Sequence, residues 1–300
     1  MIRPRRSALF LPASNPRAIA KARGLACDVV ILDLEDAVAP EAKREARAAA
    51  VAAAREGGFG GRELVVRVNG LDGAWGADDL AALAGVPVDA VLLPKVSGPD
   101  VLAAARSRID VPLWAMIETC RAMLDLRAIV EAGPAVLVAG TNDLAKEMRC
   151  RPGVDRAPLL PLLAQIVVAA RAGGAVALDG VSNVIDDPAA VEMECRQGLR
   201  FGFDGKTLIH PSQIAPANSV FTPDAEEVAW AERIVAAFDL AEHQERGAIR
   251  VNGRMVERLH LEEAQRVLAL ARLPENGAAG EDRAHDLSLT RGLGGAAVMR

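Results

Sequence analysis

Eight short apolar runs recur between residues 7 and 209, separated by stretches suited to helices. The runs cover residues 7–12, 28–34, 63–68, 90–96, 112–118, 135–140, 175–180 and 202–209. They are nearly continuous in apolar character rather than alternating, the pattern of parallel strands buried on both faces. Segments 16–25, 41–56, 77–84, 99–107, 121–131, 157–172 and 187–198 read as helices, and alanine-rich 223–245 supplies one after the eighth run. Eight such units predict a (β/α)8 TIM barrel. A doubly wound open sheet is the main alternative, but it often has a glycine-rich first turn, which is missing after Pro12. Asn15-Pro16 and Asp187-Pro188 each put a capping side chain before a proline at the first helical position, and Gly57-Gly58 offers a left-handed helix end.

The barrel domain is expected to span residues 1–246. Beyond it, 248–253 reads as an extended piece with a turn and 257–273 as a helix, so 247–273 forms a C-terminal appendage. Residues 274–300 are glycine-rich and charged without periodicity, and a mobile tail is expected there. Hydrophobic residues make up 51% of the chain and the net charge is −5, so no basic footprint for nucleic acid is present. No apolar stretch approaches the roughly 18–20 residues that cross a membrane, and the strand-like 8–12 segment is too short for a signal-peptide core. A cytoplasmic protein is expected. Cys27, Cys120, Cys150 and Cys195 lack zinc-site spacing and are expected as reduced thiols.

In such barrels the active site lies at the C-terminal ends of the strands. There the sequence offers Asp33, Glu35 and Asp36 on the second run, and Arg67 and Asn69 on the third. Lys95, Glu118, Thr141-Asn142-Asp143, Asp179, Asp204-Gly205-Lys206 and His210 follow on later runs. Glu118 and Asp143 end neighbouring apolar runs, and two carboxylates so placed can hold one hard divalent cation while leaving positions for water and substrate oxygens. Arg67 inside an apolar run needs an anionic partner. Each residue also has a plainer reading. Glu118 and Asp143 cap the following helices; Arg67 pairs with Glu35 or Asp36; Lys95 neutralises a strand-end carboxylate; His210 is a turn residue; Asp33 supports its own turn.

The ordered strings Val30-Ile-Leu-Asp-Leu-Glu-Asp36, Val66-Arg67-Val-Asn69, Leu93-Pro-Lys95, Ile117-Glu118-Thr119, Gly140-Thr-Asn-Asp143 and Ile209-His-Pro-Ser-Gln-Ile214 resemble the citrate lyase β-subunit-like group of the HpcH/HpaI aldolase superfamily. The resemblance runs from about residue 5 to 272. It implies a TIM barrel with a C-terminal lid, assembled as a homotrimer or as a hexamer built from two trimers. It further implies Mg²⁺ held by Glu118 and Asp143, with Glu35 and Asp36 supporting metal-bound waters. Arg67, with Lys95 and Asn69 nearby, would meet the substrate, and Arg17 and Lys21 would approach the phosphates of an acyl-CoA.

The reaction implied is a reversible Claisen-type cleavage of a β-hydroxyacyl-CoA of citryl, malyl or citramalyl type into an acyl-CoA and a 2-oxo acid. In this group a lid aspartate from a neighbouring subunit serves the proton transfer. This chain has Gly253-Arg-Met-Val-Glu257-Arg-Leu-His260 instead. Glu257 reaches one methylene further, and a displacement of about 1 Å can cost on the order of a hundredfold in rate. His260 is a substitute candidate. Three other readings stay open: hydrolysis of a malyl-CoA-type thioester, an aldolase of free hydroxy-oxo acids, and a non-catalytic subunit working with an acyl-carrier protein.

Overall fold

The structure is a computed structural model and describes residues 3–240, His243 and residues 246–272. The tail expected at 274–300 lies outside the described residues. In chain order come β1 (Ser7–Pro12), α1 (Pro16–Ala22), β2 (Val29–Asp33), α2 (Lys43–Glu56), β3 (Glu63–Arg67), α3 (Gly76–Leu83), β4 (Ala90–Leu93), α4 (Pro99–Arg106) and β5 (Leu113–Ile117). These are followed by α5 (Cys120–Leu124), α6 (Leu126–Glu131), β6 (Val136–Ala139), α7 (Thr141–Met148), α8 (Leu160–Ala172), β7 (Val176–Asp179), α9 (Pro188–Phe201), β8 (Gly205–Leu208), α10 (Ile214–Phe221) and α11 (Ala225–Asp239). The eight strands pair in sequence order, all parallel, and β1 pairs β8 to close the barrel. The (β/α)8 expectation is met and the open sheet excluded.

Caps set several helix boundaries as expected. Asn15 accepts from the Ala18 amide at 3.1 Å, and Asp187 accepts from the Ala189 and Ala190 amides, each at 3.1 Å. Three departures have local causes. The expected 121–131 helix is broken at Asp125 into α5 and α6. The short α7 and α10, directly after β6 and β8, were not anticipated. The 202–209 run begins its strand only at Gly205, because Gly202, at φ +93°, still ends α9. Asp204 therefore precedes β8 and lies at the opposite end of the barrel from the expected site, where it binds Arg171 at 2.8 Å.

Side-chain parity divides each strand between two cores. Ala8, Val29, Ile31, Val65, Leu92, Trp114, Met116, Val138 and Leu178 fill the barrel interior, while Val30, Leu32, Val66, Leu93 and Ala177 pack outward against the helices. Asp179 and Lys206 fall on the outward parity. Both are fully buried, in register with each other and joined at 3.3 Å. Arg156 reaches Asp179 at 2.8 Å, and Glu194 of α9 reaches Lys206 at 2.7 Å. Two residues expected at the active site are thus structural charges in the barrel wall.

The C-terminal segment forms a hairpin, β9 (Ala248–Val251) and β10 (Arg254–Glu257), turning at Asn252-Gly253, where both φ angles are positive. Then α12 (Arg258–Ala271) packs on α11 through Ala231, Ile234, Phe238, Ile249, Val256 and Ala264. Its later turns reach the barrel floor, where Glu263, Arg266 and Leu270 share a cavity of about 250 Å³ with Arg6 and Phe203. Within the described residues, the segment expected as a lid lies on α11 and the floor of its own barrel.

Replacing Asp179 with Ala strips Lys206 and Arg156 of their shared buried counter-charge. We expect a loss of about 3–5 kcal/mol in urea unfolding, without local change at the opposite parity.

Candidate active site

The inward parity that begins with Ile31, Val65 and Met116 continues upward to Asp33, Arg67 and Glu118 at the C-terminal mouth. Asp33 and Arg67 are register partners across β2 and β3. They form a two-pronged ion pair, Nε to Oδ1 and Nη2 to Oδ2, each at 2.6 Å. The remaining nitrogen, Nη1, lies 3.2 Å from Glu35 Oε2 and 3.5 Å from Met116 Sδ, and the guanidinium sits 4.7 Å over the Phe10 ring. The Asp33 partnership raises the Arg67 pKa against its burial and keeps it cationic. Sequence reading paired Arg67 with Glu35 or Asp36; the main partner is Asp33. Asp33 does also support its turn, accepting from the Glu35 amide at 2.9 Å and the Ala37 amide at 3.1 Å.

The acidic loop after β2 is held from beneath by a residue that the sequence did not single out. Lys43, buried at the start of α2, donates to the carbonyls of Leu34 at 2.8 Å and Glu35 at 2.7 Å. Glu35 is buried, and burial pushes its pKa up against the pull of Arg67 and Lys95, with the negative charge of Asp36 adding to the rise. The Lys95 ammonium bonds Glu35 Oε1 and lies 3.6 Å from the exposed Asp36. Its backbone N–H donates to Glu118 Oε1 at 2.6 Å.

Glu118 is only 1% exposed. Burial lifts its pKa to about 7, the Lys95 amide opposes the rise, and the charges of Glu35 and Asp143 add to it. Gly140 stands opposite Glu118, one step beyond the Ile117–Ala139 register pair. A Cβ at Gly140 would lie 2.6 Å from Glu118 Oε2, so only glycine lets the two strands bring this carboxylate beside the loop bearing Asp143. Asp143 sits half-buried in the first turn of α7 and makes no hydrogen bond or ion pair among the described residues. Neither acid serves as a helix cap: Thr119 caps α5 through the Ala122 amide at 3.0 Å, and α7 has no side-chain cap.

Two hard oxygen donors, one buried and short of positive charge, one unpartnered, fit Mg²⁺, which binds through one or two carboxylates and keeps waters or substrate oxygens in its other positions. Among the described residues no group of three or more acidic, histidine or cysteine side chains gathers as a metal cage.

The other candidates fall on both sides of this cluster. Asn69 is buried, with its amide committed to Asp79 at 2.6 Å. Arg17 and Lys21 are exposed one turn apart on α1 and have no partner among the described residues. His210 Nδ1 lies 2.7 Å from Ser212 Oγ in a turn, and Gln213 ties that turn to Ser182 and Val184. This is the plain turn role. Glu257 is exposed at the end of β10, and its amide donates to His260 Nδ1 at 3.0 Å. No bond joins either residue to Arg67, Glu118 or Asp143 among the described residues.

A buried arginine held by a register-paired aspartate thus lies beside acidic strand ends at the mouth of a closed parallel barrel. The HpcH/HpaI aldolase/citrate lyase family model matches residues 6–211, and the chain belongs to that family. It is 47% identical to a (3S)-malyl-CoA thioesterase of Cereibacter sphaeroides, over 89% of this chain and 95% of that protein. It is 32% identical to citrate lyase subunit beta of Leuconostoc mesenteroides subsp. cremoris, over 90% of this chain and 94% of that protein. The protein CitE of Mycobacterium tuberculosis, solved with magnesium, acetoacetate and coenzyme A, aligns at a TM-score of 0.75 and 35% identity, covering 88% of this chain and 97% of that one. No helix among the described residues is long and apolar enough to cross a membrane.

The raised Glu118 pKa gives a signed pH effect. Between about pH 4.5 and 7 the folded metal-free protein retains a proton that the unfolded chain has released, so its stability falls as pH rises through that window. Glu118→Gln mimics the neutral form and keeps the acceptor for the Lys95 amide. Thermal melts without metal should show the variant gaining on wild type as pH rises, and losing that gain when Mg²⁺ is added.

Proposed function

We propose that this chain is a Mg²⁺-dependent carbon–carbon lyase of a malyl-type β-hydroxyacyl-CoA. The observation that carries the reading is the Arg67 guanidinium, pinned on one edge by Asp33 and turned with Nη1 toward Glu35, 3.2 Å away, at the acidic end of the barrel. Glu118 and Asp143 would hold the metal, with Glu35 and Asp36 turned toward its waters. Bound there, Mg²⁺ would polarise an oxygen of the 2-oxo or 2-hydroxy acid half and offset the carboxylate charge.

The residues of the chain then divide the remaining work. In the cleavage direction the substrate hydroxyl gives its proton to a water molecule, the bond between the two halves breaks, and the electron pair moves onto the acyl half. Charge grows on the thioester oxygen, where Arg67 Nη1 can donate. Phe10 and Met116 wall that side of Arg67 with apolar surface, which strengthens its field. The acyl carbon finally takes a proton. Glu257 is assigned this transfer, delivered from a neighbouring copy in a homotrimer or in a hexamer built from two trimers. Its exposure, and the packing of the later turns of α12 on the barrel floor of its own chain, support delivery to another copy rather than within one. Arg17 and Lys21, unpaired on α1, are assigned to the CoA phosphates.

Hydrolysis of the thioester is the second reading, favoured by the 47% identity to a (3S)-malyl-CoA thioesterase. It uses the same substrate and the same oxyanion donor, with water attacking the thioester carbonyl. Incubation with malyl-, citramalyl- and citryl-CoA plus Mg²⁺ separates the two. Cleavage gives glyoxylate, pyruvate or oxaloacetate with the acyl-CoA intact; hydrolysis gives free CoA with no oxo acid. Silence on all three thioesters would sink both readings. Arg67→Lys, which cannot keep the two-pronged pair, should lower kcat by about a hundredfold or more. The Arg17→Ala/Lys21→Ala double variant should raise KM about three- to tenfold with kcat nearly unchanged.

A further inference from the structure

Lys95 stands between the two halves of the acidic site. It lies two residues past the end of β4 and has a left-handed backbone, φ +49°, which residues other than glycine, asparagine and aspartate seldom adopt. That turn ends the strand at Leu93, although the apolar run continues to Val96. It also aims the Lys95 amide at Glu118 Oε1, 2.6 Å away. The side chain, 46% exposed, runs to the other acid and places its ammonium on Glu35, beside Asp36. One residue thereby touches the carboxylates after both β2 and β5, which are not neighbouring strands.

We propose that Lys95 is a positioning residue with two separable parts: its left-handed amide sets Glu118 for the metal, and its ammonium holds Glu35 in place beside Arg67. On this view it acts through carboxylates rather than as a ligand of the substrate. The inference rests on the Mg²⁺ site of the proposed function and adds a role for the backbone of this residue.

Glycine and valine at this position both remove the ammonium and differ in backbone preference. Glycine adopts the left-handed conformation freely, while β-branched valine resists it. Mg²⁺ titration by calorimetry on the full chain should give Lys95→Gly an affinity within about threefold of wild type. Lys95→Val should bind about tenfold more weakly than Lys95→Gly. In turnover, Lys95→Gly should lose kcat with little change in KM, and Lys95→Arg, whose guanidinium still reaches Glu35, should recover part of it. Equal Mg²⁺ affinity in the Gly and Val variants would overturn the backbone role. A Gly variant with raised KM and intact kcat would overturn the ammonium role and make Lys95 a substrate ligand. The metal comparison needs no turnover. A wild type that processes none of the thioesters would overturn the proposed reaction while leaving the Gly and Val variants to decide the backbone role.

Discussion

The Asp33–Arg67 pair is the contact on which the mouth of this barrel depends. A buried guanidinium without a partner is costly, and a buried carboxylate equally so. Here the cost is met by adjacency: the two residues are opposite each other in the register of β2 and β3, so the sheet itself presents them. Asp33 satisfies one edge of Arg67 and also anchors the amides of Glu35 and Ala37. Moving Asp33 would thus loosen both the cation and the acidic loop that faces it. The direction of Nη1, which lies 3.2 Å from Glu35, is fixed because the edge held by Asp33 cannot turn.

The same charge chemistry appears a second time with a different outcome, and strand parity separates the two. Asp33, Arg67 and Glu118 follow the inward set and meet at an opening. Asp179 and Lys206 follow the outward set and meet Arg156 and Glu194 under the helices. The outward network is buried apart from the partly exposed Glu194 and is already neutralised by its own members. The inward one keeps Glu118 near neutrality in pKa and leaves Asp143 unpaired, which marks it as the cluster prepared for something added.

The barrel was legible because eight apolar runs with helix-forming segments between them admit few alternatives, and the Asn15 and Asp187 caps lie where the residue types place them. Arg67, Glu118 and Asp143 were legible as candidates because charged residues interrupt or follow apolar runs at their C-terminal ends. What escaped was geometry that composition does not carry. Parity was not counted past the apolar residues, so Asp179 and Lys206 were grouped with the mouth. Gly202 reads equally well as strand or as helix end, so Asp204 was put at the wrong end of β8. The helix α7 is only one residue past β6, and no turn signal announces it. Lys95 looks like a strand-end lysine, and nothing in its identity reveals a left-handed backbone. Lys43 lies on an ordinary helix, and its grip on the acidic loop exists only in three dimensions.

The choice between breaking a carbon–carbon bond and hydrolysing a thioester turns less on the floor of the site than on its cover. Both reactions need the same oxyanion donor and the same hold on the acid half, so on the proposed reading Arg67, Glu118 and Asp143 would serve either. They differ in whether water reaches the thioester carbonyl. In the chain alone Asp36 and much of Lys95 are exposed, and the segment with Glu257 packs beside the floor of its own barrel. A mouth left so open admits water, and one closed by the hairpin of another copy excludes it while bringing a carboxylate to the acyl carbon. Glu257, one methylene longer than an aspartate, changes how that carboxylate meets the carbon without changing the ion sites below. A shift from cleavage toward hydrolysis would therefore be expected to trace to residues 253–260 and their fit over a neighbouring mouth, with the Asp33–Arg67 pair unaltered.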